Sequence, residues 1–175
     1  MVGITLKIIR KRPQQKNAKY FDFIEMQSTY KRWILKSLQD TINLGEQIPK
    51  DLPEVKLLTL QGPLGVGKTS LVKGIAKTLG IHEPVTSPTF TLSQHYLKGS
   101  HPLIHIDLYR LENPISANEL FLQEEEEGVS IGALIVVEWP ERLKLNIKDA
   151  WRIEIQYLED GRRMAQMFPP SIKES

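Results

Sequence analysis

The chain contains no cysteine. That excludes disulfides and thiolate metal sites, and nothing in the composition points to secretion. No apolar run approaches the roughly 20 residues that a membrane-spanning helix needs. Charge of one sign is scarce as well: over 175 residues the formal net charge is +2, too little to hold a nucleic acid by electrostatics alone. No internal repeat is visible. What remains is ordinary for a globular protein, 41% hydrophobic and 25% charged, in a length that suits one domain with a real core. A cytoplasmic protein with no membrane attachment is expected.

Acidic residues are missing from the first 21 positions, where Lys7, Arg10, Lys11, Arg12, Lys16 and Lys19 precede Asp22. Residues 1–26 are expected to form a basic, poorly ordered extension. For a transit peptide serine is lacking and arginine is sparse; an RNA-contacting arm is the other role open to such a segment. A globular domain is expected over 27–168, followed by a tail over 169–175.

Within that domain "KRWILK" (31–36) reads as a strand. Ser37 and Asp40 follow at capping-box spacing, and Thr41, Leu44, Gly45 and Ile48 recur with helical period until "PKDLP" ends the element. "EVKLLTLQG" is an apolar strand running straight into a glycine-rich loop. From Lys68 to Leu79 the residues Leu71, Val72, Ile75, Ala76 and Leu79 make one apolar helix stripe, closed by Gly80. "VTSPTFTL" (85–92) reads as a Ser-Pro turn leading into a strand. "PLIHIDLYRL" (102–111) and "GALIVVEWP" (132–140) are further strand candidates, the second apolar enough to be covered on both faces. Between them "NPISANELFLQEEEEG" suits a helix, with Glu124 to Glu127 as its solvated end. "WRIEIQYLEDGRR" alternates and then reaches an Asp-Gly turn, as a hairpin does. Strands alternating with helices predict an α/β sheet with helices on both sides.

Gly62-Pro63-Leu64-Gly65-Val66-Gly67-Lys68-Thr69 satisfies G-x-x-x-x-G-K-[ST] at every fixed position. Backbone N–H groups must converge on phosphates, and residues without a Cβ let the chain wrap that tightly. The helix that follows points its positive end at the anion. Lys68 is placed to reach the β- and γ-phosphates, and the Thr69 hydroxyl to ligate Mg²⁺. A phosphate-bound Mg²⁺ takes few protein ligands, usually a hydroxyl and a carboxylate. Two acids stand where strands should end, Glu138 after "LIVV" and Asp107 within "LIHIDLY". Ligands of open parallel sheets bind at those ends, which makes Glu138 the better candidate for the magnesium side. Thr89 sits on a loop between the phosphate loop and the acid, as do threonines that sense a γ-phosphate. Trp139 either stacks on a ligand or fills the core. His101 and His105 are four apart, but Pro102 and the alternating pattern favour a strand over a zinc-binding helix.

Taken in order, "GPLGVGKT", "SPTF", "HIDLYRL" and "VVEWPERL" resemble the TsaE (YjeE) family, a P-loop ATPase of bacterial tRNA threonylcarbamoyladenosine synthesis. The likeness spans about Ser37 to Arg163 and includes the "DGR" at Asp160 to Arg162. It implies a three-layer P-loop NTPase fold with a central mixed, mainly parallel sheet, and ATP with Mg²⁺ as ligands. It also implies weak ATP hydrolysis that supports turnover of the TsaB–TsaD heterodimer, where TsaD transfers the threonylcarbamoyl group to tRNA; contact of this subunit with tRNA would be indirect or weak. By the same resemblance Leu64, Gly65, Val66, Gly67, Lys68, Thr69, Ser70 and Trp139 bind the nucleotide. Thr69 and Glu138 hold the metal, and Lys68, Thr89, Asp107 and Glu138 carry catalysis. Pro63 and Ser70 depart from common family residues yet keep the cradle and a hydroxyl.

Two other readings use the same phosphate loop. A small P-loop kinase would take Asp107 as base toward a hydroxyl acceptor and Arg110 as a clamp. No arginine cluster lies between Gly80 and His101 to form the lid such enzymes close over phosphates. A GTP-dependent switch would need N-K-x-D, whereas "NIKD" (146–149) has those letters in another order.

Overall fold

The computed structural model describes residues 31–147 and 149–170; the basic extension over 1–26 and most of the expected tail lie outside the described residues. Strand β1 (Lys31–Leu35) leads to helix α1 (Leu38–Asp51), then β2 (Leu57–Gln61), α2 (Lys68–Thr78), β3 (Ser93–Tyr96) and β4 (Leu103–Asp107). Helix α3 (Pro114–Ile131), β5 (Leu134–Glu138), a 3₁₀ turn (Pro140–Arg142), β6 (Trp151–Tyr157) and β7 (Arg163–Phe168) complete the order.

The strands make one mixed sheet in the order β1-β7-β6-β2-β5-β4-β3. Its centre, β6-β2-β5-β4, is parallel, and antiparallel pairs close both sides. Strand periodicity divides the core in two. Leu58, Leu60, Leu134 and Val136 face α1 and α2, while Leu57, Ile135 and Val137 face α3 with Ile104, Ile106 and Phe121. Every residue of β5 is buried, as its unbroken apolar run requires. The architecture is three-layered α/β. Among the described residues no helix is long and apolar enough to cross a membrane.

Capping fixes where the helices begin. The Ser37 hydroxyl accepts from the Asp40 N–H at 3.1 Å, and the Asp40 carboxylate accepts from the Ser37 N–H at 2.9 Å, closing the capping box. Asn113 caps α3 in the same sense, accepting from the Ile115 N–H at 2.9 Å. We expect Ser37→Ala to cost about 1 kcal/mol and to lower Tm by about 3 °C, read by thermal denaturation. Helix α1 continues two residues beyond Pro49, because Leu52 N–H still reaches the Ile48 carbonyl at 2.9 Å. Proline there forgoes only its own bond in the last turn.

The glutamate run departs from expectation at its first member. Glu124 is buried and lies 2.6 Å from His95 Nε2 on the edge strand β3. A stripe of Ala117, Phe121, Glu124 and Gly128 turns inward on α3, so this carboxylate joins helix to sheet. Glu127 remains half exposed on the other side of the His95 ring.

Candidate functional site

The carboxyl ends of β2, β4 and β5 lie side by side. Register sets Asp107 opposite Glu138, and Glu138 opposite Leu60, so strand alternation turns both acids to the face that carries α2. The phosphate-loop candidate springs from the end of β2, between them and α1. Its glycines 62, 65 and 67 have φ of 139°, 75° and 114°. Gly67 is the residue before α2, and that left-handed backbone excludes most side chains. A Cβ there would also press within 3.3 Å of the Thr41 methyl. Unlike α1 and α3, α2 has no side-chain cap at its start among the described residues. Its first N–H groups have no intrahelical acceptor, and an anion is their natural partner.

Lys68 is almost wholly buried. Its ammonium donates to the carbonyls of Gly62 at 2.7 Å and Pro63 at 3.1 Å, and lies 3.9 Å from the centre of the Trp139 ring. Burial pulls its pKa below the ordinary 10.5, opposed by the negative charges of Glu138, Glu141 and Asp107. The Thr69 hydroxyl donates to Glu138 Oε1 at 2.8 Å. Across the cavity Asp107 Oδ2 accepts from Ser87 at 2.8 Å and Thr89 at 2.5 Å, while its Oδ1 takes the Tyr109 N–H at 3.0 Å. The "SPTF" loop is thereby tied to the end of β4.

These groups surround one cavity of about 310 Å³. It is lined by Leu64, Gly65, Gly67, Lys68, Thr69, Ser70, Thr89, Asp107, Glu138 and Trp139 from the predicted set. Val66 differs: its side chain is fully buried in the α1–α2 core, so only its backbone belongs to the loop. Trp139 packs partly against the α3-side core, the second of its two expected roles, and presents its ring to Lys68 and Tyr109. Its φ of 61° is unusual for a bulky residue, and such strain concentrates at functional sites.

Leu38, Ser87, Tyr109 and His105 were not foreseen. Leu38, Ser87 and Tyr109 line the cavity, and fully buried His105 bonds Glu138 through Nε2 at 2.9 Å. Its period-2 relation to Asp107 was the available signal for His105. His101 is exposed ahead of β4, far from that role. Arg110, the clamp of the kinase reading, stacks instead on the exposed ring of Phe90, 4.6 Å from its centre.

The donor set suits a nucleotide with Mg²⁺. One buried ammonium and uncapped helix amides face the cavity, and a threonine hydroxyl meets a carboxylate at its rim, both hard oxygen donors. A strand, a glycine loop with its lysine, a helix and a second-strand acid together define a protein of the P-loop NTPase fold. The crystal structure of YdiB from Bacillus subtilis superposes with a TM-score of 0.63 at 26% identity, covering 84% of this chain and 90% of that one.

The model of the threonylcarbamoyl adenosine biosynthesis protein TsaE matches residues 35–165, and the chain belongs to that family. It is 39% identical over 136 residues to the tRNA threonylcarbamoyladenosine biosynthesis protein TsaE of Nostoc, covering 77% of this chain and 83% of the relative. With the Treponema pallidum protein of the same name it shares 39% over 133 residues, 75% of this chain and 96% of that one.

Proposed function

We propose that this protein binds ATP with Mg²⁺ and hydrolyses it as the ATPase subunit of tRNA threonylcarbamoyladenosine synthesis, supporting turnover of a TsaB–TsaD heterodimer that performs the transfer. The observation that carries this reading is the meeting of Thr69 with Glu138 in one cavity with Lys68 and the Thr89–Asp107 pair. A structural loop would need none of those groups together.

The loop amides and Lys68 hold the polyphosphate, with the ammonium exchanging its carbonyl acceptors for phosphate oxygens. Thr69 and Glu138 hold the metal, which when bound neutralises charge that builds on the transferred phosphoryl. Asp107 orients the attacking water, and the Thr89 hydroxyl, now on Asp107, moves to the γ-phosphate when that group is present. Ser87 and Thr89 both occupy Oδ2 of Asp107, so a shift of the loop frees that oxygen for the attacking water. Hydrolysis is therefore slow in isolation and faster once a partner orders the loop.

The test is ATP turnover measured with and without the host's TsaB and TsaD homologues. Stimulation is the expected result; phosphate accumulating on a small metabolite instead would favour the kinase. With partners present, Glu138→Ala should lower turnover at least about a hundredfold while leaving ATP affinity within about threefold, since removal of one preorganised electrostatic group costs on that order. Wild-type turnover by this variant would remove Glu138 from the chemistry.

A further inference from the structure

His105 stands in the middle of β4, opposite Val136 of β5 and Gln94 of β3, with no exposed surface. Its Nε2 lies 2.9 Å from Glu138 Oε1, the same oxygen that takes the Thr69 hydroxyl at 2.8 Å. The other ring nitrogen, Nδ1, is buried and finds no hydrogen-bond partner among the described residues. Most buried polar groups are satisfied, and an orphan costs more than an apolar residue of the same shape. Leu103, two residues earlier on the same face, and the neighbouring Val136 are apolar. A histidine serving only to fill this core would be a poor choice. One that places an N–H on Glu138 would not.

We propose that His105 is a positioning residue: donating from Nε2 to Oε1, it fixes the Glu138 carboxylate toward Thr69 and the cavity. The inference rests on the metal-holding role proposed above for Glu138. Glutamate side chains lose rotamer freedom when ordered, and two donors on one oxygen impose that order in advance. The choice of donor matters. A lysine or arginine at 105 would hold the carboxylate equally well but would cancel the negative charge that a cation needs. An imidazole N–H at Nε2 orients the group through one hydrogen bond to Oε1. Such outer partners of metal-holding carboxylates change metal affinity by about 10- to 100-fold when removed.

Two measurements test this on the full chain. The first is ¹⁵N NMR of the histidine rings in metal-free protein. His105 should carry its proton on Nε2, with a resonance that moves in Glu138→Ala; a proton on Nδ1, or an Nε2 signal indifferent to that substitution, overturns the proposal. The second compares His105→Leu, which keeps the bulk and loses the donor, with His105→Gln, which returns an N–H at similar reach. By titrating Mg²⁺ into protein with ATP, the leucine variant should need about tenfold more Mg²⁺ for half-saturation. ATP binding in the presence of EDTA should be unchanged, and glutamine should recover most of the loss. A leucine variant with wild-type Mg²⁺ dependence, or a folded glutamine variant as impaired as leucine, sinks the inference. If wild-type protein binds no ATP with Mg²⁺, the functional reading fails, and the NMR arm still decides whether His105 holds Glu138.

Discussion

Lys68→Ala should abolish measurable ATP binding, with Kd raised at least about a hundredfold. The ammonium is the one cation within the described cavity wall, and hydrogen bonds to charged groups contribute about 1.5–3 kcal/mol each. Losing two such contacts amounts to a factor of about 100 or more. The fold should survive. Among the described residues Lys68 donates only to two loop carbonyls, Gly62 and Pro63, and burial already works against its charge. The variant should melt within a few degrees of wild type, and titration with a fluorescent ATP analogue separates the two effects. Wild-type affinity in a folded Lys68→Ala protein would place the nucleotide elsewhere.

How much of this site could be read beforehand depended on how far apart its partners lie in sequence. The phosphate loop was legible because its function resides in backbone shape, and glycine spacing records backbone shape directly. Glu138 was legible as an acid ending an apolar run, for a strand buried on both faces has no other place to carry charge. Thr89 was weakly legible from its place between the phosphate loop and the acid and more clearly through the family likeness; taken alone, Ser87-Pro88 says turn, and the bond from Thr89 to Asp107 spans 18 residues. The His105–Glu138 bond spans 33 residues between neighbouring strands, and no local pattern states which strands neighbour. Glu124 misled for a related reason. Four glutamates in a row look solvated, yet the helical stripe from Ala117 through Phe121 continues through Glu124. The histidine that satisfies it belongs to a strand 29 residues earlier.

The sheet order turns these separate signals into one place. Among P-loop and acid strands, β2 and β5 are adjacent and parallel, with Thr69 following one and Glu138 ending the other. Strand β4 then adds His105 and Asp107 from the far side of β5. Each acid reaches the cavity because it is the last residue of its strand and turns to the face that α1 and α2 cover. Positioning of the chemistry therefore depends on how closely those two helices pack.

That dependence supports the second large expected effect. Gly74→Ala should destabilise the protein by about 3 kcal/mol or more and lower Tm by about 6–12 °C. Gly74 of α2 and Gly45 of α1 face each other across the helix crossing. A Cβ on Gly74 would overlap the Ile42 carbonyl oxygen and come within 2.9 Å of both the Gly45 Cα and the Glu46 nitrogen. These are backbone atoms, so no rotamer change relieves the clash and the helices must separate. Alanine's better helix propensity returns only about 1 kcal/mol. Separation would also pull Thr41 and Leu38 of α1 away from Gly67, where they fill the space an added Cβ would need, and loosen the start of α2 where Lys68 and Thr69 sit. ATP affinity should therefore fall even at temperatures where the variant remains folded, unlike in Ser37→Ala, which loses stability alone. Thermal denaturation paired with nucleotide titration of the two variants checks this. Equal Tm for Gly74→Ala and wild type would mean that the helices approach less closely than described.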